Sequence, residues 1–534
     1  MTGIERSRTV AVVGTGTMGQ GIAQVALLAG HPVLLHDAVP ERADAAVTAV
    51  TGRVERLVAK GRLDRAAADA ATGRIGAARE LSELADCALV VEAILEDVAA
   101  KQRLFTALEA VVAPDCLLAT NTSSLSVTEL AAPLKHAGRL VGLHFFNPAP
   151  LLPLVEVVSG YATDPEAAER AFGTALAWGK TPVRCADTPG FIVNRIARPF
   201  YAEAFAVYEE QGADPATIDA VLRESGGFRM GPFELTDLIG QDVNEAVTRS
   251  VWESFFRSPK FLPSLAQRRL VQSGRLGRKS GQGWFAYEGG DAAVPAPHTA
   301  GPEEAPEYVT VVGDLGPAAG LVDLIEEAGI TVEAVEAGGP YIQLPGEGQL
   351  VLTDGKTSVE FADVVYFDLA LDYRGATRIA LAASEDTSPE TLAEAVGLFQ
   401  RLGKQVSVIG DVPGMIVART VAMLIDLAAD AVAKGAASEE DIDTAMRLGV
   451  NYPLGPGQWH ERVGQDWAYE LLENLDGRCP GGRYAPSLAL FRKSYAAGPE
   501  DAAGSGDAAA DAAGPGDAAA EAAAPDDADG VSAP

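Results

Sequence analysis

Thr9-Val-Ala-Val-Val13-Gly14-Thr-Gly16-Thr-Met-Gly19-Gln-Gly21 passes from a continuous apolar run through glycines into the helical run Ile22 to Ala29, and Val33-Leu-Leu-His-Asp37 follows. A short β-branched run bounded by glycine reads as a parallel strand buried on both faces. Strand, glycine loop, helix and second strand, with an acid eighteen residues beyond Gly19, together form a dinucleotide fingerprint. Gly14 permits the tight turn, Gly16 lets the backbone approach a pyrophosphate, and Gly19 permits close helix packing. The helix N-terminus favours the anion. Asp37 is placed for ribose hydroxyls, beyond the plainer role of a strand-end cap; a carboxylate there repels a 2′-phosphate, so NAD is expected rather than NADP. The stretch predicts an α/β Rossmann-type domain.

Working outward, the chain has 534 residues, 48% of them hydrophobic, which is more than one core needs. Met1 to Thr9 lacks the apolar stretch of a signal peptide, and no run is long enough to span a bilayer. A soluble, cytoplasmic chain without a membrane partner is expected. Cys87, Cys116, Cys185 and Cys479 are scattered without CxxC spacing, so reduced packing thiols are expected and no cysteine metal site. The net charge of −32 argues against a nucleic-acid partner, which calls for clustered Lys and Arg. From residue 498 to 534 the chain is mostly Ala, Gly, Asp and Pro, the composition of a disordered acidic tail. Residues 288–306 are rich in Ala, Pro, Gly and Glu and read as a linker between two structured halves.

Those halves are related. A shift of 224 residues lays Thr188-Pro-Gly-Phe-Ile-Val-Asn-Arg195 on Val412-Pro-Gly-Met-Ile-Val-Ala-Arg419, Gly179-Lys180 on Gly403-Lys404, and Ile218-Asp219 on Ile442-Asp443. Gly231-Pro232 meets Gly455-Pro456, and Gly240-Gln-Asp242 meets Gly464-Gln-Asp466. This is a duplicated helical domain with a Pro-Gly opening a helix in each copy. In the second half Thr310-Val-Val-Gly313-Asp-Leu315-Gly316 puts Leu315 where a pyrophosphate would need glycine, and the segment is much shorter than its counterpart. It reads as a vestigial nucleotide segment kept for packing.

Gly142-Leu-His-Phe-Phe-Asn-Pro148 and Leu154-Val-Glu-Val-Val158 each hold one ionisable residue in an apolar strand-like run. A buried carboxylate is costly unless partnered, and His144 on a neighbouring strand could partner Glu156, fixing the imidazole as a general base. In the repeat register Asp368, Ala380 and Ala418 stand opposite His144, Glu156 and Asn194. Their loss where the scaffold residues persist points to one active site per chain, in the first copy, so replacing Asp368 should leave turnover intact. Arg53, Arg56 and Lys60 share one face of a helix over Val47 to Ala59; a solvated face accounts for them, and so does a site for a polyanionic handle such as coenzyme A.

Together with Val91-Glu-Ala-Ile-Leu-Glu96, Asn121-Thr-Ser-Ser-Leu125 and Leu276-Gly-Arg-Lys-Ser-Gly281, these motifs resemble, in order, those of the L-3-hydroxyacyl-CoA dehydrogenase family, over residues 7 to 287. The paired second half looks most like the long two-repeat bacterial form, of phenylacetate-catabolism type. The resemblance implies NAD-dependent oxidation of (S)-3-hydroxyacyl-CoA to 3-oxoacyl-CoA, with 3-hydroxybutyryl-CoA or 3-hydroxyadipyl-CoA as the class of substrate. It makes His144 the base and Glu156 its orienting partner, with Ser123 and Asn194 on the reacting oxygen. It gives NAD contacts to Glu96, Lys101, Ser123, Asn147 and Lys279, and coenzyme A contacts to Lys60 and Arg53. It also implies domains at 1–186 (Rossmann) and 187–287 (helical), then a vestigial Rossmann-like segment at 307–384 and a second helical domain at 385–497. The two helical domains are expected to pair within one chain, with a homodimer as a further level. A sugar-acid dehydrogenase of the gulonate dehydrogenase and lambda-crystallin type, and a non-catalytic NAD-binding scaffold, are the competing readings.

Overall fold

The computed structural model describes residues 3–289 and 291–496; the tail expected from 498 lies outside the described residues. Strands β1 (Val10–Val13), β2 (Val33–His36), β3 (Ile75–Ala78), β4 (Leu89–Glu92), β5 (Leu117–Thr120), β6 (Leu140–Phe145), β7 (Leu154–Ser159) and β8 (Thr181–Ala186) form one sheet. Its order is β3-β2-β1-β4-β5-β6-β7-β8. The first six strands run parallel; β7 is antiparallel to β6, and β8 parallel to β7. Alternation along β1 shows why its whole run is apolar. Val10 and Val12 pack with Ile22 and Val50 of the helices Thr17–Leu28 and Pro40–Ala59, while Ala11 and Val13 pack with Phe105 and Leu108 of the helix Val98–Val111. The order reverses between β1 and β4, opening the crevice where doubly wound sheets bind ligands.

The first helical domain holds Val193–Ile196, Arg198–Glu209, Pro215–Glu224, Pro232–Ile239, Gln241–Ser254 and Leu265–Gln272, and ends in a hairpin of β9 (Ala286–Glu288) and β10 (Asp291–Ala293). Pro199, with no N–H to give, splits the first two of these helices; Met423 holds its place in the unbroken helix Val417–Ala433 of the second copy.

The stretch read as a linker is bound down rather than free. The Thr217 hydroxyl accepts from His298 N at 2.8 Å, Arg378 donates to His298 O at 3.0 Å, and Ala300 N donates to Val406 O at 2.8 Å. Beyond it, β11 (Tyr308–Val312), β12 (Thr331–Val335), β13 (Tyr341–Gln343), β14 (Gln349–Leu352), β15 (Val364–Phe367), β16 (Arg378–Ala383) and β17 (Gln405–Ile409) form a second sheet, in order β12-β11-β13-β14-β15-β16-β17. The expected boundary at 384 therefore cuts this sheet: β17 pairs in parallel with β16, as β8 does with β7. On one side β11 keeps a parallel neighbour, β12, reached through the helix Leu321–Glu327; on the other, where the first sheet has the parallel β4, it has the antiparallel β13 and a hairpin to β14.

The shared motifs hold matching contacts. Lys180 Nζ donates to Ala149 O and Leu152 O at 2.5 and 2.8 Å, and Lys404 Nζ to Arg374 O and Ala376 O at 3.0 and 2.6 Å. Asp219 accepts from the amides of Phe233 and Glu234, and Asp443 from those of Gly457 and Gln458, each capping a helix that begins with proline. The halves also exchange partners. Ala186 N donates to Ala436 O and Gly410 N to Gly212 O, both at 2.7 Å, while Arg195 pairs with Asp430 and Arg419 with Glu210. Residues 190–285 and 410–495 thus pack together within one chain. Among the described residues no helix is long and apolar enough to cross a membrane.

Candidate active site

The glycine loop closes the C-terminal end of β1. Gly14 has φ +101°, and a Cβ there would lie 2.4 Å from Ala93 O; one on Gly19 would lie 1.8 Å from Gly14 O. Gly16 meets nothing within 4 Å, so the loop backbone stands open above it. A cavity of about 610 Å³ at this point is lined by Gly14, Thr15, Gly16, Asp37, Arg42 and Leu95. The residues fit a dinucleotide: an open glycine backbone, a helix N-terminus and a strand-end acid converge on one crevice.

Asp37 does a second job that the motif does not show. Its Oδ2 accepts from Thr15 N at 3.2 Å and Thr15 Oγ1 at 2.6 Å, and Oδ1 accepts from Val39 N at 3.1 Å. Burial pushes the carboxyl up, but these hydrogen bonds outweigh it and hold the group below its ordinary value. Arg53 donates to Gln20 Oε1 at 2.6 Å, and Gln20 in turn to Thr15 O at 2.8 Å, so this arginine braces the same loop. Lys60, just past the end of the helix Pro40–Ala59, is exposed and unpartnered among the described residues.

Across the sheet, antiparallel pairing makes His144 of β6 and Glu156 of β7 direct partners. Residues opposite each other in such a pair share a face. His144 Nδ1 lies 2.6 Å from Glu156 Oε2, with the histidine 5% and the glutamate 0% exposed. Glu156 Oε1 accepts from the amides of Ile192 and Val193 at 3.1 and 2.9 Å, at the start of the helix Val193–Ile196. Because a carboxylate only accepts, Nδ1 carries the proton and Nε2 offers its lone pair. The rings of Phe146 and Phe191 flank the imidazole at 4.5 and 5.8 Å. Burial, and then the Glu156 charge, push the thiol of Cys185 well above its ordinary value, leaving it an inert packing group.

Between the crevice and this pair, Glu96 gathers Thr122 Oγ1, Ser123 N at 3.0 Å, and Ser124 N and Oγ at 3.2 and 3.0 Å. Asn194 Nδ2 donates to Ser123 O at 3.3 Å, bringing Ser123, Glu96 and Asn194 into one chain of contacts. Burial raises Glu96, but Lys101 and the hydrogen bonds carry it below its ordinary value. Lys101 itself is 1% exposed, 2.5 Å from Glu92 and 3.2 Å from Glu96, so it lies beneath the loop rather than on its surface. Asn147 is exposed, preceding the cis Pro148, and Lys279 pairs with Asp242 in the helical domain, apart from this cluster.

Thr15, Thr122 and Glu92 were not singled out as site residues by the sequence. Glu92 carried a signal: it is a lone carboxylate ending the apolar run Leu89-Val-Val, the same mark that drew attention to Glu156. Its Oε2 accepts from Thr120 Oγ1 at 2.6 Å.

The "3-hydroxyacyl-CoA dehydrogenase, NAD binding domain" family matches residues 9–188, and the "3-hydroxyacyl-CoA dehydrogenase, C-terminal domain" matches twice, at 190–287 and 414–506. A "3-hydroxybutyryl-CoA dehydrogenase reduced Rossmann-fold domain" matches 350–413 and so takes in β17, the last strand of the second sheet. A 3-hydroxyadipyl-CoA dehydrogenase of Escherichia coli K12 is 43% identical over 487 residues, 91% of this chain and 97% of its own length. A probable 3-hydroxybutyryl-CoA dehydrogenase of Deinococcus radiodurans is 41% identical over 276 residues, covering 52% of this chain and 99% of itself. The crystal structure of a 3-hydroxybutyryl-CoA dehydrogenase from Escherichia coli K12 superposes with a TM-score of 0.84 at 42% identity, covering 92% of this chain and 98% of that one.

Proposed function

The chain belongs to the 3-hydroxyacyl-CoA dehydrogenase family, and from that premise we propose that its first half oxidises the 3-hydroxyl of a short or dicarboxylic (S)-3-hydroxyacyl-CoA through the His144–Glu156 pair. The carrying observation is the 2.6 Å contact between two buried side chains set opposite each other across β6 and β7. His144 Nε2 takes the hydroxyl proton. As the imidazolium forms, its new charge faces Glu156, whose other oxygen is held by two amides and cannot swing away. The glycine loop from Gly14 to Gly19 and Asp37 would hold NAD, which when bound would supply the acceptor for the hydride leaving C3. Asn194 and Ser123 hydrogen-bond the reacting oxygen, and Glu96 holds the Ser123 backbone in place for it.

Lys60 receives a phosphate of coenzyme A, a role its free and exposed ammonium supports; Arg53 contributes by stiffening the loop. The second helical domain takes in cis the surface that a single-repeat relative would offer a partner subunit, so any homodimer uses another face, which solution mass will test. NADH formation from (S)-3-hydroxybutyryl-CoA and 3-hydroxyadipyl-CoA tests the reading. Absence of NADH from both, with folded protein that binds NAD, would overturn it.

A further inference from the structure

A cavity of about 300 Å³ lies between the helical domains, walled by Phe200, Phe228, Leu235 and Leu238 of the first copy and Tyr452 of the second, with Arg229 also lining it. Two polar groups that line this apolar space lack partners among the described residues. Tyr452 is 6% exposed, yet among the described residues its hydroxyl has no hydrogen-bond partner. Arg229 is exposed, and among the described residues it makes no ion pair or hydrogen bond. A buried hydroxyl and an exposed guanidinium, both without partners beside a cavity, are what an anionic ligand group would satisfy.

Gly449 links the cavity wall to the surroundings of the His144–Glu156 pair. Gly449 immediately precedes Val450 in its wall, and a Cβ on Gly449 would lie 2.7 Å from Leu154, 3.1 Å from Val193 and 3.9 Å from Phe146. The Phe146 ring in turn lies tilted against that of His144, their centroids 4.5 Å apart.

We propose that this cavity receives the far end of an acyl chain that terminates in a carboxylate, with Arg229 as its pairing cation and the Tyr452 hydroxyl as a donor. The apolar walls take the methylenes, and the arginine decides between a carboxylate and a methyl end. The second copy then supplies a specificity-determining residue to chemistry carried by the first. The inference rests on the reading of the chain as a dehydrogenase of 3-hydroxyacyl-CoA.

The test compares kcat/KM for 3-hydroxyadipyl-CoA and 3-hydroxyhexanoyl-CoA, equal in carbon number and different only at the terminus, in the full chain. The wild type should prefer the adipyl thioester. Arg229→Gln should lower the adipyl-to-hexanoyl ratio roughly ten- to hundredfold, chiefly through KM for the adipyl substrate, and Arg229→Lys should restore part of it. Tyr452→Phe should lower the ratio roughly three- to tenfold. Arg229 is exposed and the Tyr452 hydroxyl unpartnered, so neither change removes a contact that folding uses. A wild type without the preference, or a ratio that moves in neither variant while turnover persists, overturns this inference alone. No NADH from either thioester overturns the parent reading and this one with it.

Discussion

The two copies anchor the same helix start with carboxylates from different strands. In the first, Glu156 reaches from β7 to the amides of Ile192 and Val193 with one oxygen and leaves the other for His144. In the second, Asp368 stands where the histidine would be and spends both oxygens on the helix: Oδ2 takes the amides of Ile416 and Val417 at 3.1 and 2.8 Å, and Oδ1 that of Ala418 at 3.0 Å. Ala380 fills the glutamate's place. The structural half of the carboxylate's job therefore survives in both copies, and the catalytic half proposed for the first depends on a longer side chain, one strand over, that has an oxygen to spare. In the proposed mechanism, orientation of the base is thus grafted on a helix cap that both copies share.

Glu156→Gln breaks the first copy's arrangement most sharply. The amide oxygen can still accept from Ile192 and Val193, so the fold should hold. Its NH2 would then donate to Nδ1, forcing the proton onto Nε2, the wrong tautomer for a base. Turnover should fall roughly a thousandfold, as when an orienting carboxylate is lost from a triad, with NAD affinity nearly unchanged. Steady-state rates and NAD titration check this; wild-type turnover would remove Glu156 from the mechanism.

Asp368→Ala should do the opposite, costing stability and sparing chemistry. It strands three helix-start amides and that of Leu369 in a fully buried site, a loss of about 3–5 kcal/mol. Chemical denaturation measures it. Folded Asp368→Ala without turnover would end the claim of one active site per chain.

How much of this was legible in the sequence follows from what each residue does. Gly14 and Gly19 are readable because no side chain fits where they stand, and the 224-residue register is readable because Lys180 and Lys404 or Asp219 and Asp443 do identical work. Asp368 reads as a mere substitution, since the register compares like strand positions and the carboxylate has crossed to the neighbouring strand. The boundary at 384 falls too early because the helix Pro389–Arg401 has the same apolar periodicity whether it covers a sheet or joins a bundle. The exchange of partners between halves leaves little local trace, as it is made by backbone groups such as Ala186 N and Ala436 O and by ion pairs between residues more than 200 positions apart, such as Arg195 and Asp430.

The nucleotide segments sharpen the comparison further. The second copy keeps an acid after its second strand, Glu336 after β12, yet Leu315 is buried in that sheet's core where Gly16 stands open in the first. An acid without the glycine is no site, but Asp37 should still govern which dinucleotide the first copy takes. Asp37→Ser removes the charge facing a 2′-phosphate and leaves Arg42 in the same cavity. The NAD-to-NADP preference should fall roughly tenfold or more, with NAD itself bound less well as Thr15 loses its acceptor. An unaltered preference would mean that Asp37 serves the loop alone.

The smallest effect separates carboxylates by environment rather than by copy. Burial raises Asp219 to about 7 and Asp368 to about 6, against the amides that partly offset it. A carboxyl raised in the fold binds its proton more tightly there than in the unfolded chain. Its contribution is fully present below about pH 4 and is lost as pH climbs through the folded value. Asp37 and Glu96 are lowered instead, so their contribution fades only as pH falls below the ordinary carboxylate range, outside this window. Stability should therefore decline from about pH 4 to 7, with a slope of at most about 1.4 kcal/mol per pH unit for each buried group. Denaturation midpoints from pH 4.5 to 7.5 read it. Asp368→Asn should flatten the part of the slope below about pH 6 and Asp219→Asn the part extending to about 7. Stability that instead rises across this window would show that these two helix caps are not what sets the pH response, and that both folded copies hold their buried carboxylates charged.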